Sequence, residues 1–118
     1  MKLSELKTID IEALGYRDTI NGNSYFSSTV TLNNGLKNCI QLKIPFQYGY
    51  ELQYLSTSLE EVSKHFKRSQ WYKKYMNKDM IERKYNIKIN HKITRGCKKR
   101  ELFHAREIKK ISLGDNKK

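Results

Sequence analysis

The chain is poor in the residues that mark familiar chemistry. No apolar run approaches the length of a membrane span, and the N-terminal MKLSELKTIDIEALGYR has neither the apolar core nor the cleavage site of a secretory leader. The two cysteines, Cys39 and Cys97, are too few for a disulfide framework and have no nearby residues to complete a metal site. They read as reduced thiols of a cytoplasmic protein. His65, His91 and His104 are scattered, and none stands four residues from another histidine in a ligand pattern. There is no Gly-rich phosphate loop, nucleophile elbow or Cys-His pairing. The expectation is a non-enzymatic protein with no cofactor and no metal.

What is abundant is positive charge, and it is uneven. Across 118 residues the net charge is +12. Residues 1–59 balance five bases, Lys2, Lys7, Arg17, Lys37 and Lys43, against five acids, whereas residues 60–118 carry nineteen bases against seven acids. Lys exceeds Arg 18 to 6, and Asn and Ile are plentiful. A compositional bias toward AT-rich codons accounts for that choice of base. It does not account for bases outnumbering acids. Uncompensated like charges repel and weaken a compact state, so a polyanionic partner is expected. The charged fraction of 31% beside a hydrophobic fraction of 37% predicts a thin core, offset by eight Tyr, four Phe and one Trp.

Periodicity organises the chain as one domain, with a β-meander over 1–44, an aromatic bend and helices over 45–85, and a basic strand and terminal element over 86–112. In 6–16, Ile9, Ile11 and Ala13 alternate with Asp10, Glu12 and Leu14. In 24–32, Phe26, Val30 and Leu32 share one parity and Tyr25, Thr29 and Thr31 the other. Asn33-Asn34-Gly35 is a hairpin signal, because Asn and Gly accept positive φ. In 38–44, Ile40, Leu42 and Ile44 oppose Cys39, Gln41 and Lys43, and Pro45 is expected to stop this third strand. Leu52, Leu55, Leu59, Val62 and Phe66 form a helical stripe, in which Thr57 or Ser58 with Glu60 or Glu61 offers a capping box where the helix could restart, so one bent helix and two pieces both fit. A second helical rhythm runs from Trp71 to Tyr85. Ile87, Ile89, His91 and Ile93 then alternate with Lys88, Asn90, Lys92 and Thr94, a strand with one oily and one basic face. Arg95-Gly96 is a turn, and residues 97–110 fit either a helix or a returning strand. The fold class is therefore α+β: a three-stranded antiparallel meander followed by helices and one or two further strands.

Two places can carry function. The first is the basic half, where rings interleave with cations; Lys and Arg neutralise phosphates and exposed rings stack on bases. Lys73, Lys74, Arg83, Lys98, Lys99 and Arg100 are the candidate phosphate contacts, and Trp71 and Tyr72 the candidate stacking rings. A solvated basic face with Trp71 and the tyrosines in the core is the structural alternative. Lys-rich contact favours backbone binding over base reading. The second place is the corner YRDTINGNSYF. Asp18 and Asn21-Gly22 can close an ordinary turn; as a secondary ligand corner, Arg17, Asn21 and Asn23 converge on a phosphate. A metal-dependent nuclease built on Asp18 is a third reading.

The run Arg17-Asp18 through Asn21-Gly22-Asn23-Ser24-Tyr25-Phe26, followed by Pro45-Phe46-Gln47-Tyr48-Gly49-Tyr50, resembles a group of small uncharacterised bacteriophage proteins that share an R-D-x-x-N-G-N-S-Y-F corner and a P-F-Q-Y-G-Y bend. The match covers about half the chain. It implies a phage origin and the host cytoplasm as location, but no activity. The expected partner is nucleic acid, DNA or RNA, held by backbone electrostatics. The alternative is an anti-defence or host-takeover protein that binds a host protein or nucleoprotein complex. No membrane partner is expected, and the sequence does not fix an oligomeric state.

Overall fold

The computed structural model describes residues 1–66 and 77–103. After a 3-10 turn at Leu3–Glu5 come β1 (Thr8–Asp18), β2 (Asn23–Leu32), β3 (Ile40–Tyr48), α1 (Gln53–His65), α2 (Lys78–Tyr85) and β4 (Lys88–Thr94). Residues 99–103 form a final helical turn. The class is α+β, with one mixed four-stranded sheet in the order β3-β2-β1-β4. β1, β2 and β3 pair antiparallel. β4 is not a separate element beyond the helices. It joins the same sheet parallel to β1, with Ile9 opposite Ile89 and Ala13 opposite Ile93.

The hydrophobic parity explains this arrangement. Ile9, Ile11 and Ala13 of β1 lie beside Val30 and Leu32 of β2 and Ile87 and Ile89 at β4, all buried. A strand added at the open edge of β1 continues that apolar face, and α1 covers it with Leu59, Val62 and Phe66. Where α1 crosses the sheet the contact is made by small residues: the Ser28 and Ser58 hydroxyls share a 2.8 Å hydrogen bond inside the core. Each hydroxyl thereby satisfies the other without water.

The β2–β3 connection is longer than a tight hairpin and is organised by Asn33, which is wholly buried in the left-handed conformation (φ 53). Its Oδ1 accepts from the Lys7 and Thr8 amides at 2.6 and 3.3 Å, and its Nδ2 donates to Glu5 O at 2.9 Å and Asn38 Oδ1 at 3.0 Å. A residue expected only to turn the chain thus also ties the N-terminal segment to the loop.

Two local expectations are overturned, and the choice between one helix and two pieces is resolved. Pro45 does not stop β3, which runs on to Tyr48. β3 is an edge strand and Pro45 stands at the register shift opposite Phe26 and Ser28, so no ladder donor is lost where one is needed. α1 is continuous, and Ser58 spends its hydroxyl on Ser28 rather than on a restarted cap. Leu52 lies outside the buried stripe at 56% exposure, and Tyr54 takes the corresponding core place.

Candidate nucleic-acid interface

Alternation that sends isoleucines to one face of the sheet sends rings to the other. Tyr16 lies directly opposite Tyr25, and Tyr25 opposite Tyr48, on three adjacent strands. The rings stack: Tyr16 on Tyr25 with centroids 6.2 Å apart, Tyr25 on Phe46 at 5.0 Å and 11° between planes, and Phe46 on Phe103 at 4.9 Å. Tyr48 packs edge-on against Tyr25 at 5.9 Å and against Tyr50 at 5.1 Å. Offset and edge-to-face pairs of this kind each add stabilisation beyond their buried area.

The last ring, Phe103, is delivered by the C-terminal turn. The Cys97 amide donates to Gly15 O at 3.0 Å just after Gly96 turns the chain at φ +77. The Lys98 amide donates to Glu101 Oε1 at 2.9 Å, which caps the turn. Leu102 is buried, and its carbonyl accepts from the Ser27 hydroxyl at 3.2 Å. In this anchored segment Lys98, Lys99 and Arg100 are exposed. Lys99 Nζ stands 5.7 Å from the centroid of Phe46, a cation–π contact. Its field also reaches Asp18, whose carboxyl is lowered chiefly by the Asn21 side-chain and backbone hydrogen bonds and slightly by Lys99.

The predicted residues divide. Lys99 meets the ring ladder at Phe46, and its chain neighbours Lys98 and Arg100 are exposed. Arg83 sits in the last turn of α2, its Nε 3.4 Å from Asp79 O. α2 leads into the start of β4 whereas Lys98 follows its end, so a strand of roughly 20 Å separates the two. Trp71, Tyr72, Lys73 and Lys74 lie outside the described residues.

The YRDTINGNSYF corner is a closed turn. Asp18 Oδ1 accepts from the Ile20 and Asn21 amides, Asp18 Oδ2 accepts from Asn21 Nδ2 at 2.8 Å, and Gly22 turns at φ +73. Asn21 is thereby used, Asn23 pairs with Asp18 in the ladder of strands, and Arg17 points to the opposite face of the sheet, where it lines a cavity. The three do not form one ligand corner. Among the described residues no three His, Cys, Asp or Glu side chains are grouped to hold a metal.

The sequence reading did not single out Tyr16, Tyr25, Phe46, Tyr48 or Phe103 as a surface. The signal was present in their spacing: Tyr16 and Tyr25 fall in the outward parity of their strands, as do Phe46 and Tyr48 two residues apart once β3 is allowed to continue past Pro45. Compared with protein-family models, curated proteins and solved structures, the chain finds no match.

Proposed function

We propose that the protein binds single-stranded nucleic acid without catalysis, using the face where Lys98, Lys99 and Arg100 border the aromatic ladder. The observation that carries this reading is the juxtaposition of Lys99 and Phe46 at the head of that exposed basic trio. Cations that track a phosphate backbone beside rings with accessible edges are what sequence-tolerant strand binding requires. Tyr48 at 52% and Phe103 at 36% exposure offer ring surface to bases. With the bacteriophage resemblance, the partner becomes phage or host nucleic acid in the host cytoplasm.

Fluorescence anisotropy with nuclease-treated protein and labelled single-stranded DNA, duplex DNA and RNA tests the proposal. Single strands are expected to bind tighter than duplex, with affinity falling steeply as salt rises. Equal, salt-insensitive binding to all probes, or none, would sink it. One observation favours a second reading, a host-protein target: Tyr48, Tyr50 and Leu52 are all exposed, at 52%, 46% and 56%, in one short stretch. A contiguous apolar patch suits a protein interface. One partner retained on a column through nuclease and high salt would favour that reading.

A further inference from the structure

On the core face, at the N-terminal end of α1, the sheet and the first turn of α1 border a half-open cavity of about 330 Å³. Its walls include Phe26, Tyr54 and Ile93 on the apolar side and Arg17, Arg95 and Glu51 on the charged side. Two glycines keep it open. A Cβ on Gly49 would stand 2.6 Å from Phe26 Cε1, and one on Gly15 would stand 3.2 Å from Ile93 Cδ1. Arg17 occupies the core-facing parity of β1, and Arg95, one residue past the end of β4, continues the parity of Ile89 and Ile93. Among the described residues the Arg17 guanidinium has no hydrogen-bond or ion-pair partner. Arg95 has a single long bond, Nη2 to Glu51 O at 3.4 Å. Two guanidiniums against one carboxylate leave the rim net positive, and no helix-capping side chain covers the first amides of α1.

An apolar slot with a few convergent polar groups, at the lower end of ordinary ligand-site volumes, takes a small molecule with a flat body and an anionic head. A guanidinium fork matches phosphate. We propose that this cavity binds a nucleoside monophosphate group, the phosphate on Arg17 and Arg95 and the base against Phe26, Tyr54 and Ile93, with Glu51 able to accept from a base amino group. The same chemistry is offered by a free nucleotide and by the 5′-phosphorylated end of a strand. Tyr16 and Tyr25 belong both to the cavity wall and to the ladder on the other face. The cavity proposal does not depend on the strand-binding reading.

Isothermal titration of the full chain with adenosine monophosphate, adenosine and inorganic phosphate tests it. The monophosphate is expected to bind at least tenfold more tightly than either fragment. Arg17→Ala and Arg95→Ala are each expected to weaken it about tenfold, and Arg17→Lys less; both arginines are exposed, so these variants should fold. No binding of the monophosphate, or binding unchanged in the Arg17→Ala/Arg95→Ala double variant, overturns the proposal. A Lys98→Ala/Lys99→Ala/Arg100→Ala variant should bind the monophosphate normally, which separates this site from the ladder. An oligothymidylate that gains affinity from a 5′-phosphate, and loses that gain in Arg17→Ala, identifies the strand end as the source. Equal affinity of phosphorylated and unphosphorylated strands, beside intact monophosphate binding, identifies the free nucleotide.

Discussion

The Tyr54 hydroxyl and His91 Nδ1 lie 2.7 Å apart, joining the first turn of α1 to the middle of β4. Tyr54 is only 3% exposed and His91 is half-buried, so this bond is partly shielded from water. Burial pushes the tyrosine hydroxyl up, and the positive charge of Arg95 partly opposes that. Replacing Tyr54 by Phe leaves a half-buried ring nitrogen without its partner. A loss of about 1–3 kcal/mol is expected in urea denaturation. Adding His91→Phe should restore part of it, since removing both polar partners costs less than orphaning one. If the double variant is as unstable as the sum of the singles, the bond is not what holds β4.

Asn33 should be the most sensitive polar position of the β2–β3 loop. Asn33→Ala removes four hydrogen bonds from a buried site and puts Ala, which tolerates the left-handed conformation less well than Asn, at positive φ, and a loss of about 3 kcal/mol or more is expected. Asn34→Ala, at an exposed neighbour, should fall within about 0.5 kcal/mol of the parent. Asn33→Asp puts a carboxylate oxygen against Glu5 O and Asn38 Oδ1, so it should be harmful at neutral pH and less so in acid. Thermal melts of the three variants at pH 7 and pH 4 check this.

Glu82 gives stability a definite pH dependence. Its carboxylate accepts from the Ile89 amide at 2.9 Å and from Lys78 Nζ at 2.9 Å, and these bonds, in that order, lower its carboxyl from the ordinary 4.5. A depressed carboxyl stabilises the fold fully above its unfolded value and loses that contribution as pH falls through the folded value. Glu82→Gln should therefore be less stable than the parent at pH 7, and the gap should narrow below about pH 4. A gap that widens in acid would contradict the assignment.

For strand binding, charge and rings should separate in the salt dependence. Lys98→Ala/Lys99→Ala/Arg100→Ala should reduce the slope of log K against log salt by about 2 for a single strand, at roughly 0.7 per phosphate contact. Tyr48→Ala should lower affinity by about 1–3 kcal/mol if the ring stacks on a base, with the slope unchanged. Arg83→Ala, on the far side of β4, should alter neither strongly.

Much of the sheet was legible because burial repeats every two residues. The parities assigned to Ile9, Ile11 and Ala13, to Phe26, Val30 and Leu32, to Ile40, Leu42 and Ile44, and to Ile87 and Ile89 are those of the folded sheet. What periodicity does not carry is which strands become neighbours. Nothing local in residues 86–94 distinguishes a strand beside β1 from one at β3, because that choice depends on edges exposed only after the sheet has formed. Pro45 misleads for the same reason, since its cost vanishes on an edge. The ladder was obscured by weighing tyrosines as core filling rather than by parity. The cavity was hidden more deeply: Arg17 and Arg95 are 78 positions apart in the chain, and only the parallel pairing of β1 with β4 puts them on one wall.

That pairing also governs how the molecule comes into being. The partner for the second side of β1 is translated some eighty residues after β1 itself, a long closure that slows productive folding. Until it arrives, a nascent or truncated chain presents an isoleucine-rich strand with unsatisfied amides and carbonyls, a template for self-association. Chains truncated before Lys88 should precipitate, and co-expression of a peptide spanning Lys88–Thr94 is the natural remedy.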